Sequence, residues 1–209
     1  MDNLGPIIVI GTLIIGFWIW YGARKSRKQY DTAAKQFWAK EYASNQTRKK
    51  DISGLDYLII PIDKLPLSPS DDEEVAEYQS TITALADKKI LDLTGISNTD
   101  LKLQYGVANL SILTEYDNNY NILINTLARW GARLFQLGYT DEAVTVLEYG
   151  ISIGSDITRN YYLLAEHYLS INKPDEIERL ISLCEELDSI MVPAITRKLK
   201  EYRDAYTHP

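Results

Sequence analysis

The chain has 209 residues, 22 Lys/Arg against 29 Asp/Glu and a net charge of −7, and that charge is polarised: residues 24–50 carry +7 and residues 51–209 carry −13. The acidic body offers no basic face to phosphates, which excludes nucleic acid as its partner. Cys184 is the only cysteine, which excludes an intrachain disulfide and agrees with a reducing cytosol.

Residues 4–22 decide where the chain lives. From Leu4 to Gly22 no side chain is charged, and Ile, Leu, Val, Phe, Trp and Tyr dominate. Such a run in a helix reaches about 28 Å, the hydrocarbon thickness of a bilayer. Trp18, Trp20 and Tyr21 stand at its C-terminal end, where amphipathic rings favour the membrane–water interface. Arg24, Lys25, Arg27 and Lys28 follow, a basic collar able to reach anionic lipid headgroups. A cleaved signal peptide would carry its basic residues ahead of the run and a small-residue site behind it. Here only Asp2 precedes the run, and the basic cluster comes after. Residues 1–23 are therefore expected to hold a transmembrane helix. By the positive-inside rule the basic flank stays inside, so the N-terminus lies outside and the remainder is cytoplasmic, a single-pass arrangement in the cell membrane.

Residues 24–50 read as a basic juxtamembrane helix. Tyr30, Ala34, Phe37, Trp38 and Tyr42 recur at three- and four-residue spacing and form one aromatic stripe. The stripe either lies on the membrane surface beside its basic residues or packs against the rest of the chain. A continuous helix leaves the bilayer, which favours the second. Residues 51–69 form an extended segment punctuated by Gly54, Pro61, Pro66 and Pro69, with one short edge strand expected at "YLII", residues 57–60. Its apolar content is too high for a free linker, so it is expected to dock. Residues 70–123 are a helical region: Ser70 with Glu73 makes a capping box, and Val75, Tyr78, Ile82 and Leu85 make a buried stripe. Asp71, Asp72 and Glu74 suit the positive end of that helix dipole, which explains the acidic cluster without a cation. A short helix is expected from a cap at Asn98 or Thr99 through Tyr105, closed by Gly106.

Residues 124–157 and 158–191 are self-similar at an offset of 34. Leu127, Trp130, Gly131, Leu134, Ala143, Leu147 and Gly150 in the first align with Tyr161, Leu164, Ala165, Tyr168, Ile177, Ile181 and Cys184 in the second. Thr140 is expected to cap the second helix of the first unit, and Pro174 matches it in the next. A period of 34 with a helix–turn–helix unit resembles the tetratricopeptide repeat. Departures are Ile177 at the usual alanine, and Ser155 and Ser189 where the repeat ends in proline. A partial third unit supplies one capping helix through Ile195, Leu199 and Tyr202. The fold class implied is all-α: a transmembrane helix followed by a repeat domain over residues 124–209. As a whole the chain resembles single-span bacterial membrane proteins with such a domain, a resemblance that implies no activity.

That resemblance places a partner surface on the first helix of each unit, here Asn125, Ala128, Ala132, Phe135 and Gln136, then Arg159, Tyr162, Glu166, Leu169 and Ser170. The contacts expected to matter are Asn125, Phe135, Arg159, Tyr162, Glu166 and Leu169. The family's carboxylate clamp needs Lys and Asn where Ala128, Ala132 and Leu163 stand, so an acidic chaperone tail is not the expected ligand. A mostly apolar helix or the chain's own segment 51–69 suits this face better. His167 and His208 form no metal-ligand spacing, Cys184 occupies a packing position, and there is no Gly-rich phosphate loop. No catalytic residue, metal or cofactor is expected. The expected function is a membrane-anchored protein–protein interaction module or scaffold binding a protein or peptide; the alternative is a structural subunit of a larger membrane complex.

Overall fold

The structure, a computed structural model, describes residues 4–68 and 70–207, with the side chains of 4–14, Gln29 and Thr207 excepted. Among the described residues there are eight α-helices and no strand, so the chain is all-α. The helices are α1 (Leu4–Asn45), α2 (Glu73–Ala86), α3 (Asn98–Tyr105), α4 (Leu110–Leu137), α5 (Thr140–Ser152), α6 (Thr158–Ser170), α7 (Asp175–Glu185) and α8 (Val192–Thr207). They divide into two compact units, residues 1–50 with 97–109 and residues 51–96 with 110–209.

In the first unit α1 is one uninterrupted helix of 42 residues. Pro6 sits in its first turn, where a missing N–H costs nothing, and no proline follows within it. Among the described residues no helix is long and apolar enough to cross a membrane. Residues 4–14 of the expected span lie outside the described side chains. α3 starts at a Ser97 cap, whose hydroxyl accepts from the Asp100 N–H at 3.2 Å, rather than at Asn98 or Thr99. The α1–α3 contact is polar. Lys102, 7% exposed, pairs with Glu41 and donates to Asn45 Oδ1 at 2.9 Å, and Thr99 donates to Glu41 at 2.7 Å. Gly106 ends α3 at φ +90°, which lets Lys50 N–H reach the Tyr105 carbonyl at 3.0 Å. Asn109 closes the corner, its amide donating to the Lys50 and Tyr105 carbonyls at 2.8 Å each.

The second unit is built on α4, which runs unbroken through the 123/124 boundary drawn from the repeat. The extended segment before α2 docks as expected: Ile60 and Leu65 are buried with Val75, Ile82, Leu85 and the α4 residues Leu123, Leu127 and Trp130. The expected strand at 57–60 reduces to a single antiparallel bridge between Leu58 and Ile90, because Pro61 cannot continue a ladder. Ser70 is not the cap of α2. Asp72 takes that place, accepting from Val75 N–H at 3.0 Å, and Ser70 instead accepts from the Asp72 N–H at 3.2 Å.

Every packing position paired at the offset of 34 is buried, from Leu127 to Gly150 in α4–α5 and from Tyr161 to Cys184 in α6–α7. The turns repeat as well. Gly138 at φ +83° and Asn172 at φ +59° end the first helix of each pair, and Gly and Asn are the residues that accept this conformation most readily. Tyr139 N–H then reaches the Leu134 carbonyl at 3.0 Å, and Lys173 N–H reaches that of Tyr168 at 2.8 Å. Thr140 is the first residue of α5, and Tyr139 stands at its cap without a side-chain bond. α8 packs Ile195 and Leu199, both fully buried, onto α6 and α7.

Candidate interaction surfaces

The residues expected on the repeat face do not share one open groove. Ala128 and Ala132 are buried, and Phe135 is half-buried where the two cores of the second unit meet, its ring 5.8 Å from that of His167. Leu169 also packs into the core of α6–α8. α8 brings Tyr162 and Glu166 together under one side chain. The Tyr202 ring lies 6.2 Å from that of Tyr162, and its hydroxyl donates to Glu166 at 2.7 Å. Arg159 is exposed, and Asn125 is exposed beside α2 in a shallow groove with Glu77, Tyr78, Asn121, Ile122 and Arg129. The resemblance placed these six on one face of the repeat, and resemblance carries no sign of which neighbouring helix covers them.

A second groove, of about 510 Å³, lies between the start of α2 and the end of α4. Val75 and Leu134 form its floor, with Leu137 and Tyr139 exposed at one side. Asp71 and Glu142 stand on its rim in no ion pair among the described residues, whereas Asp72 is engaged. The Arg133 guanidinium donates to both Asp72 oxygens, at 2.6 Å from Nη2 and 3.2 Å from Nε. That guanidinium and the Val75 N–H hold the Asp72 carboxyl below its ordinary value. Protonating Asp72 therefore opposes folding. Its contribution is fully present above the unfolded carboxyl's value, about 3.9, and is lost as pH falls through the lowered folded value. Asp72→Asn is expected to flatten the acid limb of stability below pH ~4, measured as the urea midpoint against pH. Parallel acid limbs for the two proteins would exclude this coupling.

On α1 the C-terminal end of the apolar run carries an aromatic cluster. Phe17 lies 6.1 Å from Trp20 and 6.2 Å from Tyr21, ring to ring, and the Arg24 guanidinium sits 5.1 Å over the Trp20 ring. Residue order along the run gave no sign of this pairing of ring and cation. The stripe farther along is a correction. Tyr30, Phe37, Trp38 and Tyr42 are 55–75% exposed, and the Phe37 and Trp38 rings meet edge to face at 5.4 Å. The packing expected of them is made instead by Glu41 and Ser44, on which α3 sits. Phe37 is two turns before Ser44 and Tyr30 two turns before Phe37, so they extend the covered face as an uncovered one.

No group of three or more His, Cys, Asp or Glu side chains among the described residues is placed to hold a metal. Burial pushes the Cys184 thiol up to about 11, which opposes the thiolate a nucleophile needs. Burial likewise raises the hydroxyls of Tyr120, Tyr161 and Tyr168. His208 lies outside the described residues. No protein-family model matches the chain, and neither a curated protein nor a solved structure matches it.

Proposed function

We propose that the chain is a single-span membrane protein whose residues 124–209 form a tetratricopeptide-type interaction module, a scaffold without catalytic activity that faces the cytoplasm. The observation that carries the reading is the uncharged run of residues 4–22 followed directly by four basic residues. Phe17, Trp20 and Tyr21, clustered beside Arg24, suit the interface at its inner end. The repeat assignment draws its support from the burial of every position paired at the offset of 34 and from the matched turns at Gly138 and Asn172. The collar at Arg24, Lys25 and Lys28 supplies the contact with anionic headgroups, and a protein or peptide is the ligand of the module. The second reading, a structural subunit of a larger membrane complex, is favoured by the exposed aromatic stripe of α1.

Cysteine labelling in intact cells tests the anchor and its direction. A cysteine at position 3 is expected to react with an impermeant maleimide from outside, and one replacing exposed Glu186 only after the cells are opened. The reverse pattern would invert the orientation. Release of the chain from membranes by carbonate would remove the span.

A further inference from the structure

The two units carry opposite charge. The first has 10 Lys/Arg against 4 Asp/Glu, a net of +6, and the second 12 against 25, a net of −13. Each also exposes an apolar surface edged by its own sign of charge. On α1, Trp38 and Tyr42 are exposed on the side that also carries Arg27, Lys28 and Lys35, with Asp31 among them; these three cations stand in no ion pair among the described residues. On the second unit, exposed Leu137 and Tyr139 border the 510 Å³ groove rimmed by Asp71 and Glu142. We propose that these two surfaces are complementary and that the aromatic–basic face of α1 from one copy docks in the acid-rimmed groove of a second copy. The proposal stands apart from the function proposed above, because neither surface lies within residues 4–22 and neither is the repeat face.

Other occupants of the α1 face fit the observations less well. Trp38 and Tyr42 lie at least 16 residues beyond Gly22, which along a straight helix is about 24 Å. The headgroup layer outside the hydrocarbon is only about 5–8 Å deep, so a bilayer spanned by residues 4–22 does not reach them. Pairing of one α1 with another sets two positively charged helices side by side, a like-charge juxtaposition that costs rather than gains. A groove whose unpaired charges are carboxylates and whose open wall is Tyr139 and Leu137 answers both features of the α1 face. It offers apolar area to the rings, carboxylates to Lys35 and Arg27, and a ring to a cation.

The test uses the full chain in neutral detergent micelles. Two differently tagged proteins, Trp38→Cys and Tyr139→Cys, are mixed and treated with a short bismaleimide; Cys184 is buried and leaves the background low. A crosslinked heterodimer is expected in the mixture and in neither protein alone. Adding Asp71→Lys and Glu142→Lys to the Tyr139→Cys chain, at exposed positions where the fold is retained, is expected to lower its yield about tenfold. Raising salt from 0.1 to 1 M, which shortens the screening length to about 3 Å, should act in the same direction. A chain bearing both cysteines that closes only on itself would show an occupant in cis and overturn the proposal. So would a heterodimer indifferent to charge reversal and salt, or its absence. Loss of the crosslink in anionic but not neutral nanodiscs would make lipid the occupant and overturn it equally.

Discussion

Gly131→Leu is expected to lower the stability of the helical domain by about 3 kcal/mol or more, the upper end of overpacking costs. A Cβ at Gly131 would stand 2.5 Å from both Cγ and Cδ2 of Leu147 and 3.4 Å from the Ala143 carbonyl. Leu147 is fully buried, so its side chain has nowhere to withdraw. Even Gly131→Ala is expected to destabilise, although alanine gains about 1 kcal/mol over glycine in a helix interior. In a domain of this size the leucine variant should lower the melting midpoint by roughly 10 °C, followed by circular dichroism on the full chain. An unchanged midpoint would show that α4 and α5 do not approach this closely.

Gly106→Ala should produce the other large effect, confined to the first unit. Gly106 combines φ +90° with ψ 145°, a conformation that a side chain strains by roughly 1–3 kcal/mol. Its Cβ would also collide with the Arg48 carbonyl oxygen, lie 2.6 Å from the carbonyl carbon and 2.8 Å from Lys49 Cα. These are backbone atoms, which cannot turn aside as a flexible side chain does. The hydrogen bond from Lys50 to Tyr105 and the two donated by Asn109 close over this point. Replacement is expected to free residues 46–50 from α3 and raise amide exchange there about a hundredfold, with exchange across α4–α7 unchanged. Retained protection at 46–50 would refute the close approach.

Helices and their buried faces were legible because they follow from spacing along one element. Val75, Tyr78, Ile82 and Leu85 recur at helical intervals; three are buried, and Tyr78 is half-buried at the edge of the core. The pairs from Leu127 with Tyr161 to Gly150 with Cys184 were likewise readable as repeated packing positions. Caps were less legible, since several side chains near a helix start can accept the same N–H. Ser70 and Asp72 both precede α2, and Asp72 caps it while Arg133, 61 residues away in sequence, holds its carboxylate. The aromatic stripe from Tyr30 to Tyr42 has the periodicity of a packed face, yet it is exposed. Among the candidate contacts, Asn125 and Arg159 were placed on the surface, whereas Phe135, Tyr162 and Leu169 turned out to be partly covered.

By itself the sequence determined the all-α class, the uncharged run at 4–22, the split between a basic and an acidic portion, and which side of each repeat helix is buried. These are properties of composition and of period, and a helix displays its period locally. Only the tertiary structure decided that α3 returns to the end of α1, that Lys102 is buried there against Glu41, and that α8 lies over Tyr162 and Glu166. Each of these joins residues far apart in the chain, 61 positions for Lys102 and Glu41 and 36 for Tyr202 and Glu166. An apolar or aromatic period states that a face can be covered; which element covers it depends on loop closure and on competing contacts, and those exist only once the chain has folded.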